Sequence, residues 1–220
     1  MKRLFSKVLI NKIEACGIIA VLVIDRAEDA VPLANALLAG GINVMELTLR
    51  TPAAITALKE IRSKVPEMVT GIGTILSPEQ VMEAKEAGAA FGVAPGMNPR
   101  VVAKAKTVGL PFAPGICTPS DIEHSLEYGC RMLKFFPAES CGGLKHLKSM
   151  SAPYMHLGLK FIPLGGLDQD NLASYMADSS VAAVGGSWIA KREMINANDW
   201  AAITAAAAKA IATVKNVRGL

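Results

Sequence analysis

The sequence predicts an α/β fold: a single (β/α)8 barrel of the TIM type with an extra N-terminal helix. Three observations carry this. Short apolar runs alternate with helix-like segments along all 220 residues. Eight such runs recur at intervals of about 20 to 25 residues with no linker between them, which suits eight strand–helix units closing on themselves. The runs are continuous rather than alternating, as expected for parallel strands covered on both faces. A doubly wound open sheet is the alternative. It usually has fewer strands and a cofactor loop after the first, and nothing like GxGxxG follows Ile18–Ile24.

Taken in order, the start is expected to be helical. Met1-Lys2-Arg3-Leu4-Phe5 briefly resembles a signal peptide, but Lys7, Asn11, Lys12 and Glu14 interrupt the apolar stretch. Leu4, Phe5, Val8, Leu9 and Ile13 fall on one helical face instead. Residues 1–16 are therefore read as the N-terminal helix and 17–220 as the barrel, together one domain over 1–220. The eight strand candidates are Ile18–Ile24, Ile42–Leu49, Met68–Thr74, Ala90–Ala94, Pro111–Ile116, Arg131–Phe136, Lys160–Leu164 and Val181–Val184. Between them, Ser77-Pro78-Glu79 supplies an N-cap, a first-turn proline and a first-turn acid. Thr118-Pro119-Ser120-Asp121 and Asp168-Gln169-Asp170-Asn171 are expected to begin two more helices, and Gly40-Gly41, Gly88, Gly109 and Gly129 to end others. Asp199 to Val214, alanine-rich and periodic, is the last outer helix.

Composition narrows the function. Hydrophobic residues make up 51% and aromatics 5%, so the core must be largely aliphatic. The net charge of +4 is dispersed and no basic run interleaves with aromatics, so no nucleic-acid partner is expected. No apolar run has the length of a membrane span, so no membrane partner is expected either. Cys16, Cys117, Cys130 and Cys141 form no CxxC pair, which suits reduced thiols in a cytoplasmic protein. His124, His146 and His156 show no HxH or HExxH spacing; no metal site and no cofactor are expected.

The chemistry centres on Lys134, which sits among Met132, Leu133, Phe135 and Phe136 in the middle of the run Arg131-Met132-Leu133-Lys134-Phe135-Phe136. A free lysine is almost wholly protonated at neutral pH, and burial disfavours that charge. A neutral amine attacks carbonyls and forms Schiff bases. The bland reading is a lysine snorkelling from a strand end. On the second run, Glu46, Thr48 and Arg50 share one face by alternation, polar where a plain core strand would be apolar; a solvated strand end with an internal ion pair is the plain alternative. Met132, Lys134 and Phe136 share a face in the same way, so an inward Lys134 would approach Glu46. Gly71-Ile72-Gly73-Thr74 leaves room and ends in a hydroxyl, and Ala94-Pro95-Gly96 ends the fourth run. The last two runs end in Gly165-Gly166 and Gly185-Gly186-Ser187. Glycines there let backbone N–H groups approach an anion, and loops after strands seven and eight commonly bind phosphate in such barrels.

These blocks resemble the family of 2-keto-3-deoxy-6-phosphogluconate (KDPG) and 4-hydroxy-2-oxoglutarate (KHG) aldolases. The resemblance runs through Glu46-Leu47-Thr48-Leu49-Arg50-Thr51, Gly71-Ile72-Gly73-Thr74, Pro95-Gly96, Pro114-Gly115, Lys134-Phe135-Phe136-Pro137-Ala138-Glu139, Pro163-Leu164-Gly165-Gly166 and Gly185-Gly186-Ser187-Trp188. It implies a metal-free class I aldolase, usually a homotrimer, acting on a small 2-oxo acid: KDPG, giving pyruvate and glyceraldehyde 3-phosphate, or 4-hydroxy-2-oxoglutarate, giving pyruvate and glyoxylate. It implies Lys134 as the Schiff-base lysine and Glu46 as the proton carrier. Arg50 and Thr74 would hold the pyruvate carboxylate, with Pro95 and Phe136 lining the pocket. Gly165, Gly166, Gly186 and Ser187 would receive the distal phosphate. Two positions depart from the pattern: many members carry threonine where this chain has Leu164, and serine or threonine where it has Ala94. The competing functions are an isomerase-type phosphate-binding barrel, with Lys134 only an anchor, and a non-catalytic binding protein.

Overall fold

The computed structural model describes residues 4–219. Helix α1 (Lys7–Cys16) starts where the Ser6 hydroxyl accepts from the Leu9 N–H, satisfying one orphan donor of the first turn. It stops at Gly17, which takes φ +70. The expected apolar face is corrected: Phe5 is buried but precedes the helix, and Val8 is 68% exposed. Beginning at Lys7 turns Ile13 and Cys16 to the core, with Leu9 and Ile10 half-buried. Met1 to Arg3, placed in that helix by the sequence, lie outside the described residues.

The strands are β1 (Ile18–Leu22), β2 (Val44–Thr48), β3 (Val69–Gly73), β4 (Gly92–Val93), β5 (Phe112–Ala113), β6 (Gly115–Ile116), β7 (Met132–Phe135), β8 (Lys160–Pro163) and β9 (Val184–Gly186). The expected fifth run is split at Pro114, which has no N–H to give to a ladder. Six strands pair in the order β5-β4-β3-β2-β1-β9 and three in the order β6-β7-β8, and every named pairing is parallel. One residue separates β5 from β6, and the bridges Phe161–Val181 and Leu164–Gly185 join the other edges. The last strand is displaced from the expected Val181–Val184. The guanidinium of Arg218 takes the carbonyls of Val181 and Ala182, so the ladder with β1 begins only at Val184.

The helices are α2 (Ala30–Ala39), α3 (Ala54–Lys64), α4 (Pro78–Ala87), α5 (Pro99–Val108), α6 (Pro119–Glu127), α7 (Gly143–Ser151), α8 (Leu172–Met176), α9 (Arg192–Asn196) and α10 (Trp200–Arg218). Ser77 with Gln80 and Thr118 with Asp121 form reciprocal capping boxes at α4 and α6. Asp168 does not cap a helix. Its carboxylate accepts from the N–H groups of Asp170 and Asn171 and folds a turn, so α8 waits until Leu172. Asp199 caps α10, which runs beyond Val214 to the anchoring Arg218. Apolar residues of the helices pack onto the strands as one core, Leu33, Leu37, Ile61 and Val101 among them.

Candidate active site

Lys134 of β7 and Glu46 of β2 belong to different sheets, yet Nζ and Oε1 lie 3.5 Å apart. That contact requires the two sheets to turn these faces toward each other. Both groups are withdrawn from solvent: Lys134 is 6% exposed and Glu46 1%. Snorkelling is thereby excluded for Lys134. At 3.5 Å the charges attract but make at best a poor hydrogen bond, and Glu46 Oε1 has no hydrogen-bond partner. A buried carboxylate oxygen left in that condition is rare and asks for a function.

Glycine makes the arrangement possible. A Cβ on Gly73 would stand 1.7 Å from Glu46 Oε1, so only glycine at this point of β3 leaves the carboxylate its place. Gly115 lies beside Lys134 in the ladder, and a Cβ there would meet the Pro95 carbonyl oxygen at 2.1 Å. Pro95 thus comes within one strand of the lysine. The Phe136 ring centroid is 5.3 Å from Nζ, close enough for the ring face to favour a cation.

Arg50 lies just past β2, exposed at its C-terminal end, and its Nε donates to Thr48 Oγ1 at 3.2 Å. The Thr48 hydroxyl donates in turn to the Leu22 carbonyl at 3.0 Å. Glu46, Thr48 and Arg50 therefore share a face as alternation requires, with Thr48 fixing the guanidinium. Thr74 follows Gly73 directly and has φ +60, a left-handed conformation that a β-branched residue seldom takes. Such conformations cost about 1–3 kcal/mol and concentrate at functional sites.

The two glycine pairs differ in kind. Gly165 and Gly166 have φ +97 and +78, so their backbone demands glycine. They fold over the turn following β7: Glu139 N donates to the Gly165 carbonyl at 3.0 Å. The Glu139 carboxylate accepts from the Tyr175 hydroxyl. Burial, together with that bond, pushes the Tyr175 phenol well above its ordinary range. Gly185 and Gly186 are glycine for packing. A Cβ on Gly185 would meet the Leu164 side chain at 2.4 Å, and one on Gly186 the Trp188 ring at 1.5 Å. Ser187 is exposed just beyond β9. Lys134, Glu46 and Phe136 are in direct proximity; Pro95, Arg50, Thr74 and the two glycine pairs stand at the C-terminal ends of neighbouring strands.

Sequence reasoning read Gly73 as leaving room for a ligand, whereas the space goes to the Glu46 carboxylate, and it gave no role to Thr48 as an anchor or to the Glu139–Tyr175 bond. Only the alternation of β2 could have signalled Thr48; Tyr175 had no signal. A cavity of about 250 Å³ lies along Ala94, Pro95 and Met97 at this end. A larger one, about 400 Å³, opens at the other end beside Phe5, Ile10 and Met132, but the buried Lys134–Glu46 pair is not part of its wall.

The family model described as KDPG and KHG aldolase matches residues 9–206. The chain belongs to that family. It is 43% identical over 197 residues to the 2-dehydro-3-deoxy-phosphogluconate aldolase of Treponema pallidum, covering 90% of this chain and 93% of that one. It is 39% identical over 198 residues to the KHG/KDPG aldolase of Escherichia coli K12, covering 90% and 92%. Among solved structures it resembles the KDPG aldolase of Legionella pneumophila, in which pyruvate was captured as a covalent carbinolamine intermediate. The TM-score is 0.86 at 38% identity, covering 90% of this chain and 96% of that one. Membership of this aldolase family makes the protein a lyase of the TIM-barrel class, and it does not favour the isomerase-type or non-catalytic readings.

Proposed function

We propose that the protein is a class I aldolase that cleaves KDPG to pyruvate and glyceraldehyde 3-phosphate, 4-hydroxy-2-oxoglutarate to pyruvate and glyoxylate, or both. The observation that carries this is the buried Lys134–Glu46 pair, with a carboxylate oxygen left free for a reacting group. Lys134 attacks the 2-oxo carbon, loses water and becomes an iminium. The C3–C4 bond then breaks, its electron pair moving into the iminium to give an enamine. Glu46 takes the C4 hydroxyl proton as the aldehyde leaves and returns a proton to C3. Water releases pyruvate and frees the lysine.

Arg50, fixed by Thr48, and Thr74 hold the pyruvate carboxylate by charge-assisted hydrogen bonds. Pro95 and Phe136 line the pocket. Gly165, Gly166, Gly186 and Ser187 form the seat of the distal phosphate; the positive φ of Gly165 and Gly166 supports backbone N–H groups turned to an anion. The strands close as a (β/α)8 barrel through the β5–β6 run and the β8–β9 bridges. Helix α1 covers the N-terminal end, where Phe5 lies 6.4 Å from Phe91, and residues 1–220 form one domain. A homotrimer in the cytoplasm is the assembly and location we propose with it.

Pyruvate and borohydride test the proposal. One reduced pyruvate adduct should form, on Lys134, with loss of activity. An adduct on another lysine, or none, refutes the mechanism.

A further inference from the structure

Two cysteines outside the catalytic group stand in unusual proximity. Cys117 follows β6 and Cys141 ends the 3₁₀ turn Glu139–Cys141 after β7, and their sulfurs are 2.9 Å apart with the Cys117 thiol donating. That is well inside the ordinary contact of two unbonded sulfur atoms. Both residues are partly open to solvent, whereas Cys16 and Cys130 are buried. The backbone holds the pair in place. Cys117 N–H donates to Asp121 Oδ2 at 2.9 Å, its carbonyl meets His146 Nε2 at 3.0 Å, and Cys141 N–H donates to the Pro137 carbonyl at 3.1 Å. Closing 2.9 Å to a disulfide of about 2.05 Å takes about 0.9 Å of movement.

We infer that Cys117 and Cys141 form a reversible oxidation site, taking disulfide-type oxidants, that ties the turn beside Gly165-Gly166 to the end of β6. The Cys141 thiolate attacks one sulfur of the oxidant disulfide and expels a thiolate. Cys117 then loses its proton and attacks the mixed disulfide at Cys141, expelling the second thiolate. The two thiols give up two electrons and two protons, and the oxidant is reduced to two thiols. The order follows from the hydrogen bond. Donation to Cys141 and partial burial push the Cys117 thiol up to about 11, so Cys117 is the resolving partner.

The bond would act at a distance through one element. The Glu139–Cys141 turn carries the N–H that binds the Gly165 carbonyl, and Glu139 Cβ lies 2.8 Å from where a Gly166 Cβ would stand. Drawing the turn toward β6 therefore pulls on the proposed phosphate loop. A misplacement of about 1 Å near reacting groups can lower turnover by about 100-fold.

The experiment uses the whole protein with glutathione disulfide, followed by non-reducing peptide mapping and turnover. The expected product is one Cys117–Cys141 crosslink, with Cys16 and Cys130 still thiols. Turnover should fall by roughly tenfold or more, within the scale of such misplacements, and return with dithiothreitol. Cys141→Ser should keep its turnover and resist the oxidant. Stable glutathione adducts without a crosslink overturn the proposal, as do a crosslink that leaves turnover unchanged and a Cys141→Ser protein that is still inhibited. The turnover arm rests on the aldolase reading and the crosslink arm does not. A reduced protein without aldolase activity that still crosslinks would sink that reading alone.

Discussion

Gly73→Ala tests the site through a single methyl group. Gly73 lies in β3 without a left-handed φ, so alanine fits the backbone there. Its Cβ would stand 1.7 Å from Glu46 Oε1 and 2.5 Å from Glu46 Cδ. Ordinary contact between heavy atoms is about 3.5 Å, so the carboxylate must retreat by about 1.5 to 2 Å. It now sits 3.5 Å from Lys134 Nζ and is 1% exposed. General acid–base catalysis contributes about 100-fold to 10,000-fold, and misplacement by about 1 Å can remove 100-fold. Turnover should therefore fall by about 100-fold or more, while borohydride still traps pyruvate on Lys134. The assay couples pyruvate release to its reduction, alongside thermal unfolding. Gly71→Ala is the comparison: its Cβ would strike the Phe91 ring at 2.4 Å, so its first effect should be on stability. A Gly73→Ala enzyme within about threefold of the parent in kcat would show that the Glu46 position does not govern catalysis, because kcat reports stabilisation made in the transition state.

Three further outcomes are expected. Glu46→Gln should lower kcat by about 100-fold or more while leaving the Lys134 adduct intact; loss of the adduct would give Glu46 a role in Schiff-base formation. Leu164→Thr exposes a hydroxyl on the strand face that Lys134 and Ile162 share, and one hydrogen bond to a charged group is worth about 1.5 to 3 kcal/mol. It should raise kcat/KM for the phosphorylated substrate by roughly tenfold and barely change it for 4-hydroxy-2-oxoglutarate, at a cost in stability because Leu164 is 5% exposed and packs on Gly185; equal effects on both substrates would remove position 164 from the phosphate site. Burial lifts the Cys130 thiol from 9.0 to about 12, so the folded state keeps a proton that the unfolded chain releases. Its contribution is full below about pH 9 and is lost as pH rises toward 12, and the urea midpoint of Cys130→Ala should fall less than that of the parent between pH 9 and 11. Equal slopes would assign the alkaline loss to other groups.

Much of this was legible because strands alternate and glycine punctuates. The parity of Glu46, Thr48 and Arg50, and of Met132, Lys134 and Phe136, follows from strand geometry alone. The caps at Ser77 and Thr118 follow from the local chemistry of a helix start, with Gln80 and Asp121 three residues on. What stayed hidden depends on contacts between distant segments. The Arg218 bonds to Val181 and Ala182 shift the last strand and lengthen the last helix together, across 36 residues or more. No local pattern announces them. The helix α1 face was misjudged because the Ser6 cap fixes the rotation, and the apolar stripe alone does not. Cys117 and Cys141 showed no recognised spacing because their proximity comes from the parallel pairing of β6 with β7.

The glycines explain why a charged pair can sit inside this sheet. The interior of a (β/α)8 barrel is normally filled by branched side chains from every strand. Here the inner face of β3 is clear at Gly71 and Gly73, that of β6 at Gly115 and that of β9 at Gly185. Each omission is occupied by something specific: the Phe91 ring, the Glu46 carboxylate, the Pro95 carbonyl and the Leu164 side chain. Phe91 and Leu164 close the space with apolar surface. Glu46 and the Pro95 carbonyl bring polar atoms to the region around Lys134. A buried ion pair costs desolvation that its own attraction barely returns, and stability alone gives little reason to keep one. Three strands that give up packing at four positions around one lysine and one carboxylate are better explained by the reaction than by the fold.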